Sequence, residues 1–356
     1  MQSDTETEKT GAAHKYEIVI KNVPLYLNGK ETMDFELAFI DGNTDVPYIS
    51  VAYAAGFMEG MGSDRAPDYQ LTTEADGDTI TMKRENGYEA VFDCKDDVIG
   101  FPDYDAFLIT SASPTLMNLM QISFVNQEGQ PQYFETDDNS YKRYGEVLTL
   151  RPGDYGIDLV HQDEDYYIPL QLLNDFFLEE LAIQLLYNGE SLCNGIDGNE
   201  ENYYAVTPPK ERSSQLADFS YRELCFALDS LYGLKAQHDI DDFDTLCMQA
   251  GLDEDLRGTD PAKYEQALSD LLFFNLDDGH SGYLHHSWMV KDNPEKNRGF
   301  SMLCLKEDLE RYQNSRDAFY PDGCPGYEEI GNTAYITAKI KKPSYIFIFV
   351  IKRISI

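Results

Sequence analysis

Between Tyr16 and Tyr204, apolar residues alternate in short runs broken by tight-turn dipeptides; beyond Pro208-Pro209 they recur at helical spacing. This switch of period, from two residues to about 3.6, constrains the fold more than any other feature, because a strand pattern and a helix pattern bury different faces. In the first part Tyr16-Glu17-Ile18-Val19-Ile20 reads as a strand, and Asn28-Gly29 is the dipeptide that two-residue hairpins favour. Asp76-Gly77-Asp78 precedes Thr79-Ile80-Thr81-Met82, and Asn86-Gly87 leads into Tyr88-Glu89-Ala90-Val91-Phe92, which predicts a further hairpin. Gln121 to Asn126 and Glu146 to Leu150 are additional strand candidates. Val46-Pro47-Tyr48-Ile49-Ser50 and Tyr167-Ile168-Pro169-Leu170-Gln171 resemble each other, each predicting a strand that feeds a short helix.

After Pro208-Pro209, read as a linker, three helices are expected. The first spans roughly Ser214 to Tyr232, with Leu216, Phe219, Leu224, Ala227, Leu228 and Leu231 as its apolar stripe. The second carries Phe243, Leu246, Cys247 and Ala250 and stops at Gly251. The third opens on Asp260 as N-cap with Pro261 behind it and ends near Gly279. The fold class is therefore α+β. The expected division is a tether over 1–14, a β-rich and duplicated module over 15–207, and a helical bundle over 208–290. A mixed segment over 291–337 and an atypical tail over 338–356 complete it.

Charge narrows the function. Lys+Arg 28 against Asp+Glu 64 give a formal net charge of -36. Such a surface repels phosphate backbones and anionic membranes, so no nucleic acid is expected as a partner. No apolar run reaches the length of a membrane helix. The six cysteines lack the close pairing of a zinc knuckle or dithiol site and are read as buried free thiols. No cofactor or metal is expected. The polar opening Gln2-Ser3-Asp4-Thr5-Glu6 resembles the tether that follows a removed export signal, which predicts an extracytoplasmic, secreted or surface-anchored protein.

One motif carries chemistry. Leu276-Asp277-Asp278-Gly279-His280-Ser281-Gly282-Tyr283 follows the third helix, and Gly331-Asn332-Thr333-Ala334-Tyr335-Ile336-Thr337 reads as a later strand. This series resembles the tail-specific, or C-terminal-processing, serine peptidases, including their tricorn-like branch. The β-rich module resembles the stalk-like repeats of bacterial cell surfaces. The resemblance implies peptide or unfolded protein as substrate, with His280 and Ser281 as the signature pair and the later strand opening a crotonase-like α/β catalytic domain. The family's catalysis needs an activated serine with a lysine or histidine base. No residue of this chain matches that serine or lysine, and the expectation is of a chain shortened before them. A non-catalytic surface module that binds peptide or cell wall is the alternative. Gly279-His280-Ser281-Gly282-Tyr283 is not a nucleophile elbow, because Tyr283 stands where that motif has its second glycine and a helix precedes it.

Residues 338–356 differ in character, with five basic residues, six isoleucines and no acid. Out-of-frame reading of A/T-rich codons produces such a bias. Alternatively, Tyr345-Ile346-Phe347-Ile348-Phe349-Val350-Ile351 has the β-propensity of a closing strand.

Overall fold

Asn28 and Gly29 adopt φ values of 52° and 71°, the left-handed pair that a tight hairpin turn requires and that side chains other than Asn, Asp and Gly resist. The turn joins β1 (Ile18–Leu27) to β2 (Lys30–Ile40) in a long antiparallel pair. The computed structural model describes residues 15–62, 69–85, 87–108, 123–125, 131–133, 147–178, 181, 183–195, 201–276 and 287–290. It also describes 311, 314–315, 318, 327–330, 333–337 and 348–352. The chain divides into two compact units, 1–292 and 293–356.

In the first unit β3 (Tyr48–Ser50) runs directly into α1 (Val51–Gly62). Then come β4 (Leu71–Asp76), β5 (Thr79–Arg84), β6 (Glu89–Asp93) and β7 (Val98–Phe101), a meander whose strands pair in turn, and α2 (Tyr104–Leu108). A small ladder pairs β8 (Ser123–Val125) with β9 (Pro131–Tyr133). β10 (Leu148–Leu150) adds to the far side of β7, giving the order β10-β7-β6-β5-β4. β11 (Val160–Gln162) and β12 (Asp165–Pro169) follow, and β12 passes into α3 (Leu170–Phe177). β13 (Leu185–Tyr187) and β14 (Leu192–Asn194) finish the second sheet, in the order β11-β12-β3-β2-β1-β14-β13. Only β1 and β14 are parallel in it.

The two similar segments lie side by side, with Tyr167, Ile168 and Pro169 opposite Ser50, Ile49 and Tyr48. Each is a strand entering a helix, but the prolines are not equivalent. Pro169 occupies the N-cap of α3, whereas Pro47 precedes β3 and accepts the Leu170 N–H at 2.9 Å. The helices and both sheets share one apolar core. In it Phe35, Leu37 and Phe39 alternate inward from β2, and the Phe177 ring lies 5.6 Å from Phe92 and 5.4 Å from Phe101.

The helical part begins with α4 (Ser214–Leu231), whose Ser213 cap accepts the Leu216 N–H. α5 (Phe243–Ala250) ends at Gly251 in the left-handed conformation, and the short α6 (Asp253–Leu256) follows. α7 (Pro261–Ser269) is capped by Asp260, which accepts N–H groups of Ala262 and Lys263. The chain then widens into a π-turn over Asp270–Asn275. These caps stand where the sequence places them. The first stripe does not: Leu231 is exposed, while Ala217, Tyr221 and Cys225 are buried. A helix packed on more than one side has no single apolar stripe, and α4 is such a helix. Its Tyr221 and Cys225 join Phe243, Cys247 and Leu271 in a helical core, whereas Phe226 enters the β-rich core. Pro208-Pro209 therefore lies inside the first unit. Cys94, Cys193, Cys225 and Cys247 are free thiols. No helix among the described residues is long and apolar enough to cross a membrane.

The second unit contains an antiparallel meander of β15 (Tyr327–Ile330), β16 (Thr333–Thr337) and β17 (Ile348–Lys352). The strand expected before Thr337 is β16, and the tail supplies β17 at its edge.

Candidate functional site

The first unit encloses a cavity of about 600 Å³ between its β-rich and helical parts. One wall is the face of α4 that carries Leu216, Phe219, Ser220 and Glu223, which successive three- and four-residue steps bring to one side of the helix. The facing wall is β13, the last strand of its sheet, together with Gly189 in the following turn. Gly189 has φ +90°, and the Trp288 indole lies 3.8 Å from where a Cβ would stand. A side chain there would meet both backbone strain and the ring.

Asn188 holds this wall together. Fully buried, it donates from Nδ2 to the carbonyls of Asn202 and Tyr203, both at 3.1 Å, and its Oδ1 accepts the N–H of Ser191 at 2.7 Å. Tyr203 is thereby placed for its hydroxyl to accept the Trp288 N–H at 3.3 Å. Glu265, buried on α7, accepts the Ser287 N–H at 2.5 Å. Two bonds thus anchor the segment just after the Asp-Gly-His-Ser signature at the rim of the cavity.

Two buried charged side chains line the space. Arg212, 5% exposed, donates from one Nη to the carbonyls of Leu256 (3.1 Å) and Gly258 (2.5 Å). Its guanidinium lies 3.9 Å over the Tyr264 ring, a desolvated cation–π pair. Glu223, 8% exposed, hydrogen-bonds Asp175 of α3, which also accepts from Gln171 Nε2 at 3.0 Å. Burial, followed by the charge of Asp175, holds the Glu223 carboxyl well above the usual range, and burial raises Asp175 as well. Two carboxyls in contact away from water share a proton rather than ionise together. Glu223 Oε1 has no hydrogen-bond partner among the described residues. Burial also lifts the Tyr264 hydroxyl to about 12, with the charges of Glu265 and Glu223 adding to the rise against the opposing pull of Arg212. Tyr264 is neutral at physiological pH.

His280 and Ser281 lie outside the described residues, as does the whole Asp277–Tyr283 part of the signature; its first residue, Leu276, is buried in the helical core. Among the described residues no cluster of three or more His, Cys, Asp or Glu is placed to hold a metal ion. Reading the sequence did not single out Glu223, Asp175, Arg212 or Trp288. A signal existed for two of them: Glu223 continues the Leu216–Phe219 spacing where an apolar residue is expected, and Trp288 is the one tryptophan. Comparison with family models, with curated proteins and with solved structures returned no match.

Proposed function

We propose that this chain is the substrate-binding and helical portion of a tail-specific-type serine peptidase, and that its first unit holds extended or unfolded polypeptide. The observation that carries this reading is the position of the cavity. Its rim residue Trp288 closely follows the His280-Ser281 signature, and its wall includes the edge strand β13. Aromatic rings interleaved with main-chain polar groups suit a peptide, whose backbone needs hydrogen bonds and whose side chains need pockets. The Asn174 amide already pairs with the N–H and carbonyl of Leu185, standing in for one residue of a further strand. Tyr187, next outward on β13, borders the cavity.

The family's serine and lysine have no match in this chain, so binding without hydrolysis is expected of it. An extracytoplasmic location is part of the same proposal. Trp288 is the only tryptophan, so its emission reports on the cavity directly. Titration with a reduced and alkylated, unfolded polypeptide should change that emission saturably. The peptide should remain intact, and a serine-directed phosphonate should leave the chain unlabelled. A flat titration removes the binding reading; labelling of Ser281 removes the expectation that the nucleophile is missing.

A further inference from the structure

The peptide reading leaves open what the buried carboxyl at the base of the cavity is for. Glu223 is more than nine-tenths buried, borders the cavity, and has one oxygen without a partner among the described residues. An acceptor so placed is costly unless a donor reaches it. Phe219, Tyr264 and Trp288 border the same space, rings suited to a methylene stem and to a cationic head. Arg212 is held elsewhere, by two carbonyls and the Tyr264 ring. The net charge of -36 draws cations to the surface and repels anions.

We propose that the cavity captures a primary ammonium group of the bound polypeptide, a lysine side chain or a chain amino terminus, on Glu223 Oε1. This rests on the peptide-binding reading and names the group recognised. In the empty site the shared proton keeps the Asp175–Glu223 pair from carrying two buried negative charges. An ammonium brings its own positive charge, so the proton is no longer needed and leaves to solvent. The charge balances: cation in, proton out. Other titratable groups around the site are Asp45 ahead of β3, Tyr187 on β13, Tyr203, and Glu211 beside Arg212, with Tyr264 and Glu265 on α7. Tyr187, Tyr203 and Tyr264 are all raised by burial and stay neutral through the working range. This leaves the carboxyl pair as the source of the proton.

The test follows Trp288 emission and calorimetric heat in two buffers of different ionisation enthalpy. The probes are n-butylammonium, butyrate, and short peptides carrying lysine, norleucine or N-acetylated termini. Binding of n-butylammonium should release about one proton and strengthen from pH 5 to pH 8. Lysine should bind roughly tenfold or more tighter than norleucine, the scale of one charge-assisted hydrogen bond. Glu223→Gln should erase that preference while still binding the norleucine peptide, which also shows that the variant is folded. Acetylating the amino terminus separates the two sources of the ammonium. Equal affinity for lysine and norleucine, binding without proton release, or tighter binding of butyrate than of n-butylammonium would each overturn the assignment. Norleucine peptides that bind as well as lysine peptides would leave the peptide reading standing. Failure of every peptide to bind, with n-butylammonium still releasing a proton, would sink only that reading.

Discussion

A carboxyl kept protonated by burial leaves a mark on stability as well as on binding. The folded-state values of Glu223 and Asp175 lie above their ordinary values of 4.5 and 3.8. The sign follows: their contribution is complete below the ordinary range and is lost as pH rises through the folded values. A chain with 64 acidic residues has other pH dependences, so the informative quantity is a difference. Glu223→Gln keeps the shape and the hydrogen bond to Asp175 but removes the proton. Its melting temperature minus that of the wild type should climb between pH 5 and pH 8. The underlying slope approaches about 1.4 kcal/mol per pH unit where only the folded chain holds the proton. Thermal unfolding of both proteins across that range checks it, and parallel curves would show that Glu223 is ionised in the folded state.

At the scale of elements, α4 joins both parts of the unit. Phe226 is buried, with its ring 5.3 Å from Phe176 of α3 and 5.3 Å from Tyr155. Phe226→Ala removes that wedge and should cost about 3–5 kcal/mol, as deletion of a buried aromatic ring does. Denaturant unfolding followed by far-UV dichroism and by Trp288 emission measures it. The loss should appear in both signals, since the residue ties the sheets to the helix that walls the cavity. A shift confined to one signal would show the parts unfolding independently. The same helix marks the limit of what the sequence reveals. Asn28-Gly29, Gly251 and Asp260-Pro261 are legible because a turn or cap is decided by the chemistry of adjacent residues. The parallel pairing of β1 with β14 and the contact between Asp175 and Glu223 join residues far apart in the chain. No local pattern encodes them. The stripe on α4 misleads for a related reason: amphipathic spacing assumes one buried face, and this helix serves a helical core, a β-rich core and a cavity.

At the scale of the first unit, the connector and the contacts that span it make opposing claims on independence. Pro209, Lys210 and Glu211 are exposed, as a linker between separate modules would be. The contacts crossing it are those of a shared interior. Asp229 of α4 accepts the Tyr155 hydroxyl at 2.9 Å and the Phe243 N–H at 3.2 Å, and pairs with Lys235 at 2.5 Å, so one buried carboxylate serves both sides. Arg222 reaches back to the Gly156 carbonyl, Phe226 fills the β-rich core, and Trp288 rests on Tyr203 and Gly189. Buried apolar contact of this kind outweighs one peptide bond, because cutting an exposed loop removes connectivity but little buried area. Brief trypsin treatment should therefore cut after Lys210. The two pieces should still travel together through gel filtration at neutral pH and separate only in denaturant. Trp288 emission should be unchanged by the cut, since the cavity is built from both pieces. Pieces that elute apart in native buffer would show that the cavity wall is too weak to hold them, and a peptide site assembled across it could not stand.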